Sequence, residues 1–195
     1  MFVKTVGLWG IRAAELEPVI ARLPRRMREQ HRFVELPAAI QLLAAEEFEL
    51  LAIAPTATTE IAAPLPPCRL LLLPGTEVSL LRHCVASCVM SYGGSHKDSL
   101  TISSLDHTAV SLAILRELPT LSGGIVERQE LQLSLRQNES ALSLLFRVGL
   151  LLVLGLPAEE LPQLLTHWVP SNRTLPARAY PSFPGNCNPG APAPL

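Results

Sequence analysis

The sequence predicts an α/β protein, a mainly parallel sheet flanked by helices with a small antiparallel meander added to it. Three observations predict this class. Short, almost unbroken apolar runs recur at Val3 to Leu8, Glu49 to Ala54 and Arg69 to Leu73, as in strands covered on both faces. Segments with apolar residues at helical spacing lie between such runs, at the lengths βαβ units require. After Tyr92 the runs alternate apolar with polar residues, the pattern of strands wetted on one side.

Val3 to Leu8 reads as a buried strand closed by Gly7 and Gly10, and residues 12–23 as a helix in which Pro18 is tolerated only near a kink or a start. Arg32 to Leu36 is a second strand. Pro37 to Phe48 has proline in its first turn and the periodicity of a helix, and Glu49 to Ala54 is a strand of the parallel type. A Thr-, Ala- and Pro-rich loop over 55–67 leads to the strand Arg69 to Leu73. Glu77 to Cys84 reads as a short helix and Ala86 to Met90 as the next strand. Leu100 to Ser104, Ala109 to Arg116 and Glu130 to Leu135 form the meander, turning at Asp106-His107 and Ser122-Gly123-Gly124. An apolar helix over 141–154 stops at Gly155 and Pro157, and Ala158 to Trp168 is a last amphipathic helix. Residues 1–168 are thus expected to form one domain, and the Pro- and Gly-rich stretch 169–195 a disordered tail that cannot build a core.

Composition supports a real core. The chain has 195 residues, 48% hydrophobic and only 17% charged, with mean hydropathy +0.29. A net charge of −1 gives no electrostatic case for nucleic acid as the main partner. The start has no basic region leading into a long apolar stretch and a cleavage site, so a secretory signal is not expected and the cytoplasm is. Ala141 to Leu156 is apolar, but shorter than the roughly 20 residues that cross a bilayer and interrupted by Arg147, so it reads as a core helix. Cys68, Cys84, Cys88 and Cys187 make no dense framework and are expected to be reduced.

Few motifs carry chemistry. Gly7-Leu8-Trp9-Gly10 sits where a phosphate loop would start, yet neither the Gly-x4-Gly-Lys-Ser/Thr nor the Gly-x-Gly-x2-Gly pattern is present, so a plain strand-end turn is expected. His83, Cys84, Cys88 and His96 come nearest to a metal set, but their spacing lacks the tight knuckles of structural zinc, and no metal is expected. Arg22, Arg25, Arg26 and Arg28, with His31 and Arg32 beyond, form a basic cluster able to meet RNA, phosphate or an acidic protein. No aromatic platform is interleaved with it, which favours a solvated helix end. The loop from Ser91 to Asp98 stands out because it lies at the carboxyl end of a strand, where open α/β sheets place ligands. Its Tyr92, Gly93, Ser95, His96, Lys97 and Asp98 are the candidate binding residues. Ser95, His96 and Asp98 have nucleophile and base chemistry, but a relay needs convergence from separate elements, so a turn between sheets is the competing reading.

CRLLLLPG, a short helix, a strand ending in SYGG and the phrase LTISSL together resemble the central domain of the Mur ligases, ATP-dependent enzymes that add amino acids to peptidoglycan precursors. Ser91-Tyr92-Gly93 stands where that family has Thr-Tyr-Gly before a small antiparallel sheet. The segment over 131–135, the helix ending in Leu154-Gly155 and the phrase PAEELPQLLTHW follow the family's layout, so the resemblance covers about residues 68–168. The phosphate loop is missing, Glu139-Ser140 stands in place of the family's His-Asn pair, and a Pro-rich tail replaces its C-terminal domain. The resemblance therefore implies a bacterial, non-catalytic relative without ATP or another cofactor, in which only the Tyr92-Gly93 turn is carried over. Two functions are expected on this basis. The first is a binding or accessory protein, with a protein partner or a homodimer if part of Leu144 to Leu154 is uncovered. The alternative is an enzyme of another kind using the Ser91–Asp98 loop.

Overall fold

The computed structural model describes residues 3–36, 47–57, 64–106, 109–134 and 140–165. In chain order, strand β1 (Lys4–Trp9) leads to helices α1 (Ala13–Ile20) and α2 (Arg25–Gln30) and then to β2 (His31–Leu36). Strands β3 (Phe48–Ile53) and β4 (Cys68–Pro74) follow, then a 3-10 segment over Gly75–His83 and β5 (Ala86–Gly93). β6 (Leu100–Leu105) and β7 (Ala109–Ile114) precede the two short strands β8 (Leu118–Pro119) and β9 (Ile125–Val126), and then comes β10 (Gln129–Ser134). Helix α3 (Ala141–Leu154), a 3-10 turn and α4 (Leu161–Leu165) complete it.

Eight strands form one sheet in the order β10-β7-β6-β5-β4-β3-β1-β2, while β8 and β9 pair separately. The pairings from β2 through to β6 are parallel, and β6–β7 and β7–β10 are antiparallel. The expected α/β class, a parallel sheet with an antiparallel addition, is therefore what the chain forms. The chain moves to one side of β1 to make β2, then back past β1 to make β3. Right-handed crossovers put connections running in opposite directions on opposite faces. Leu16, Val19 and Leu23 of the α1 region accordingly share a core with Val6, Leu8 and α3, whereas Leu65 and Leu80 of the later connections share a second core with Trp9, Leu51, Ile53, Leu71 and Leu73.

α3 is the main cover of the first face. Leu144 through Leu154 are all buried, and Gly149 lets the helix approach the sheet, since a Cβ there would lie 3.3 Å from Leu72 Cδ1. Arg147 is buried within it, its Nε donating to the Ser143 carbonyl at 3.1 Å. The condition set above for a homodimer, an uncovered Leu144–Leu154, is not met, because the chain covers this stretch itself. Gly155 ends the helix at φ 98°, the left-handed conformation glycine adopts without penalty. Among the described residues no helix is long and apolar enough to cross a membrane.

Several elements differ from expectation. Phe48 opens β3 instead of ending a helix over 37–48, whose residues 37–46 lie outside the described residues. Its ring fills the space beside Gly7, where a Cβ would be 3.0 Å from Phe48 Cδ1, and this packing with pairing to Cys68 claims it for the sheet. The first helix ends at Ile20, and the unforeseen α2 follows Pro24. The short helix expected over 77–84 is the 3-10 segment. Residues 169–195, and the end of the last helix, lie outside the described residues.

Candidate functional site

Parallel neighbours ordinarily need a crossover of a dozen or more residues. β5 and β6 manage with the loop 94–99, because only Tyr92 and Gly93 at the end of β5 pair with Leu100 and Thr101 at the start of β6. The chain sidesteps and continues in the same direction, and β6 runs on beyond the carboxyl end of β5. The loop between them is the one singled out from sequence.

Asp98 holds that sidestep. Its side chain is buried, and Oδ2 accepts a hydrogen bond from the Ser95 N–H at 3.0 Å. The Asp98 N–H returns a bond to the Ser95 carbonyl at 3.0 Å, and the Ser99 N–H donates to Ser91 O at 2.8 Å. The carboxylate occupies the room left by two glycines: a Cβ on Gly93 would sit 2.6 Å from Oδ2, and one on Gly75 would overlap Oδ1. Tyr92 is fully buried, its hydroxyl donating to the Ile53 carbonyl at 2.7 Å and its ring tilted 52° to Phe146 at 5.9 Å. Tyr92, Gly93 and Asp98 thus build the scaffold. Ser95, His96 and Lys97 face solvent at the crown of the loop, with the Lys97 N–H donating to Ser95 Oγ at 3.2 Å. The loop therefore separates the buried Asp98 carboxylate from the outward His96 instead of joining them in a relay.

Strand order also locates a crevice that sequence reading did not find. The direction in which successive strands are added to the sheet reverses between the parallel neighbours β1 and β3, and open sheets bind ligands at the carboxyl ends flanking such a switch. Here the two strand ends close on each other. Ala54 N–H donates to Trp9 O at 2.8 Å, the Thr56 hydroxyl donates to Gly10 O, and a Cβ on Gly10 would lie 2.6 Å from the Ala57 nitrogen. Gly10, at φ 80°, is needed for this close approach. Its glycine was visible in the sequence, but the partner across the crevice was not.

The arginine cluster divides among neighbours. Arg22 donates to the Pro18 carbonyl at 2.7 Å, Arg25 pairs with Glu29 at 2.6 Å, and Arg26 and Arg28 are exposed on α2. α2 buries none of its residues, so its three arginines lie on the surface. Among the described residues no group of three or more His, Cys, Asp or Glu side chains is arranged to hold a metal ion. His83 and His96 are exposed, and Cys84 instead meets Cys68, with sulfurs 3.8 Å apart. The Cys68 thiol is raised above its ordinary value by donating to Cys84 and by burial, and Cys84 is lowered because its thiolate accepts that bond. Of the two thiols, Cys84 is therefore the one shifted toward the thiolate form. No protein-family model matches the chain, and no curated protein matches it.

Proposed function

We propose that this chain is a binding or accessory protein, a Mur-ligase-like α/β module that holds a partner or a precursor without turning it over. One observation carries the reading: Asp98, the only carboxylate of the Ser91–Asp98 loop, is engaged by the chain's own backbone and wedged against Gly75 and Gly93. Ser95, His96 and Lys97 are left as an outward-facing set that the Asp98 carboxylate does not back, an arrangement suited to contact more than to proton transfer. The closed crevice at Gly10 and Thr56 supports the same reading, since backbone fills the room a nucleotide phosphate would need.

The test is phosphate release from Mg-ATP by the purified chain, run beside thermal melts with Mg-ATP and with a UDP-muramyl precursor. A ligand that binds only the folded state raises Tm by mass action, by about 2.7 kcal/mol of stability at 100 times its Kd. The expected result is release at the buffer rate and no rise in Tm with Mg-ATP. A rise with the muramyl precursor alone narrows the reading to a retained precursor site. ATP turnover that Asp98→Asn abolishes would overturn the proposal.

A further inference from the structure

β10 ends the eight-stranded sheet, so its backbone is paired to β7 on one side, and among the described residues no strand occupies the other. Half of its N–H and C=O groups therefore point outward, a template for a further strand. Proteins usually blunt such an edge with lysine, proline or a bulge. β10 reads QELQLS, with neither lysine nor proline, and its register to β7 runs unbroken from Gln129↔Ile114 to Ser134↔Ala109. At the opposite edge, α1 and α2 pack against β2.

A groove of about 270 Å³ runs along this edge. Five consecutive residues of β10, Gln129 to Leu133, make one wall, and Ala158, Glu159 and Pro162 make the other. It continues, through Gln129, Ala158 and Glu159, into a cleft of about 380 Å³ beside Ile125 and Glu127. An edge strand facing a helical wall across a groove is the arrangement that accepts an extended peptide by strand addition, with main-chain bonds giving affinity and alternate side chains giving selectivity.

Charge selects the occupant. The charged side chains lining the two grooves are Glu127, Glu130 and Glu159; Arg128 is beside them in sequence but lines neither groove. Glu130 is out of phase with the core-facing Leu133 of its strand, while Glu159 is on the helical wall, so the basic residues of an added strand find a carboxylate on whichever face they take. A second copy of this chain would instead add a surface that carries the same three glutamates, a weaker charge match than a basic strand. Resting on the reading of the chain as a binding module, we infer that the β10 groove binds an extended basic peptide, added as a ninth strand with lysine or arginine at alternate positions.

The experiment is fluorescence anisotropy of the full chain with labelled Val-Lys-Val-Lys-Val-Lys, its Val-Glu counterpart, and two versions of the basic peptide N-methylated on alternate amides. Strand addition uses the amides of one edge only, so one N-methyl peptide is expected to lose at least tenfold in affinity while the other binds like the parent. Glu127→Lys/Glu130→Lys/Glu159→Lys, three changes at exposed positions, should weaken the basic peptide at least tenfold and favour the acidic one. Equal binding of both N-methyl peptides overturns the inference, as does no binding of the basic peptide at millimolar concentration. A dimeric mass by light scattering that the peptide leaves unchanged also overturns it, in favour of a second copy at the edge. ATP release separates the two readings: peptide failure without ATP turnover removes this site alone, whereas ATP turnover removes the non-catalytic reading whatever the peptide does.

Discussion

The two halves of the sheet are built to different rules. In the parallel half, β3 and β4 are buried along nearly their whole length, with exceptions at Glu49 and Arg69, which pair with each other at 2.7 Å on the surface. In the antiparallel wing, β6 is exposed over Ser103 to Leu105 and β10 is buried only at Leu133. A strand between two covered faces needs apolar residues at every position, and one with a single covered face needs them at every second position. The comparison teaches that the most continuously buried strands lie in the first half, while the second ends in an edge strand with a single buried residue.

The sharpest way to break this comparison is to truncate one leucine in each half. Leu71 is fully buried in the core of the second face, and Leu71→Ala should cost about 2–5 kcal/mol through lost burial and the cavity left behind. Leu131 is half-buried at the edge, so Leu131→Ala should cost about 1 kcal/mol or less. Urea unfolding midpoints at unchanged slope measure both. Equal losses would mean that the core face of the edge strand is packed as tightly as the centre of the sheet.

The junction between the halves is the next test. Asp98→Ala leaves the Ser95 N–H without its acceptor and opens a void against Gly75 and Gly93, which should cost about 1–3 kcal/mol. Gly93→Ala should be at least as damaging, because its Cβ meets a carboxylate that its own bonds hold in place. A neutral Asp98→Ala, read by the same urea midpoints, would show that the sidestep holds without the carboxylate. Tyr92→Phe probes the tie from β5 to β3. It removes the donor to Ile53 O and keeps the ring on Phe146, for a loss of about 1 kcal/mol.

What the sequence made legible follows the same division. The apolar runs of β1, β3 and β4 and the helix ending at Gly155 are strong local signals, and each formed within a residue or two of its expected place. Phe48 was misassigned because its helical spacing is local, while the packing beside Gly7 that decides it comes from a neighbouring strand. α2, RRMREQ, has no buried residue and hence no apolar period to read. β8 and β9 have two residues each, too few for alternation to register. In the candidate loop the residue types were visible, but whether a carboxylate faces water or backbone depends on Gly75 and Gly93 reaching it, and Gly75 comes from the end of a different strand. The parallel β5–β6 pairing was hidden for the same reason, since it consists of two residue pairs brought together by that loop.

The smallest effect concerns the two edges of the sheet and is a dependence on pH. His31 opens the edge strand β2, is buried, and its Nδ1–H donates to the Met27 carbonyl at 2.7 Å. Burial lowers its pKa below the ordinary 6.5, and the positive charge of Lys4 adds to that, against the opposing bond to Met27. The folded state therefore prefers neutral histidine. Its contribution is fully present above about pH 6.5, and is lost as pH falls from there through the lowered folded value, because the unfolded chain takes up the proton first. His31→Gln keeps a donor of similar reach and removes the titration. The expected outcome is a smaller drop in Tm between pH 7 and pH 5 than in the parent, whereas an unchanged drop would assign the acid sensitivity to carboxylates elsewhere. Gln132→Ala on β10 serves as the reference from the other edge, since an exposed and uncharged position should leave that slope as it was.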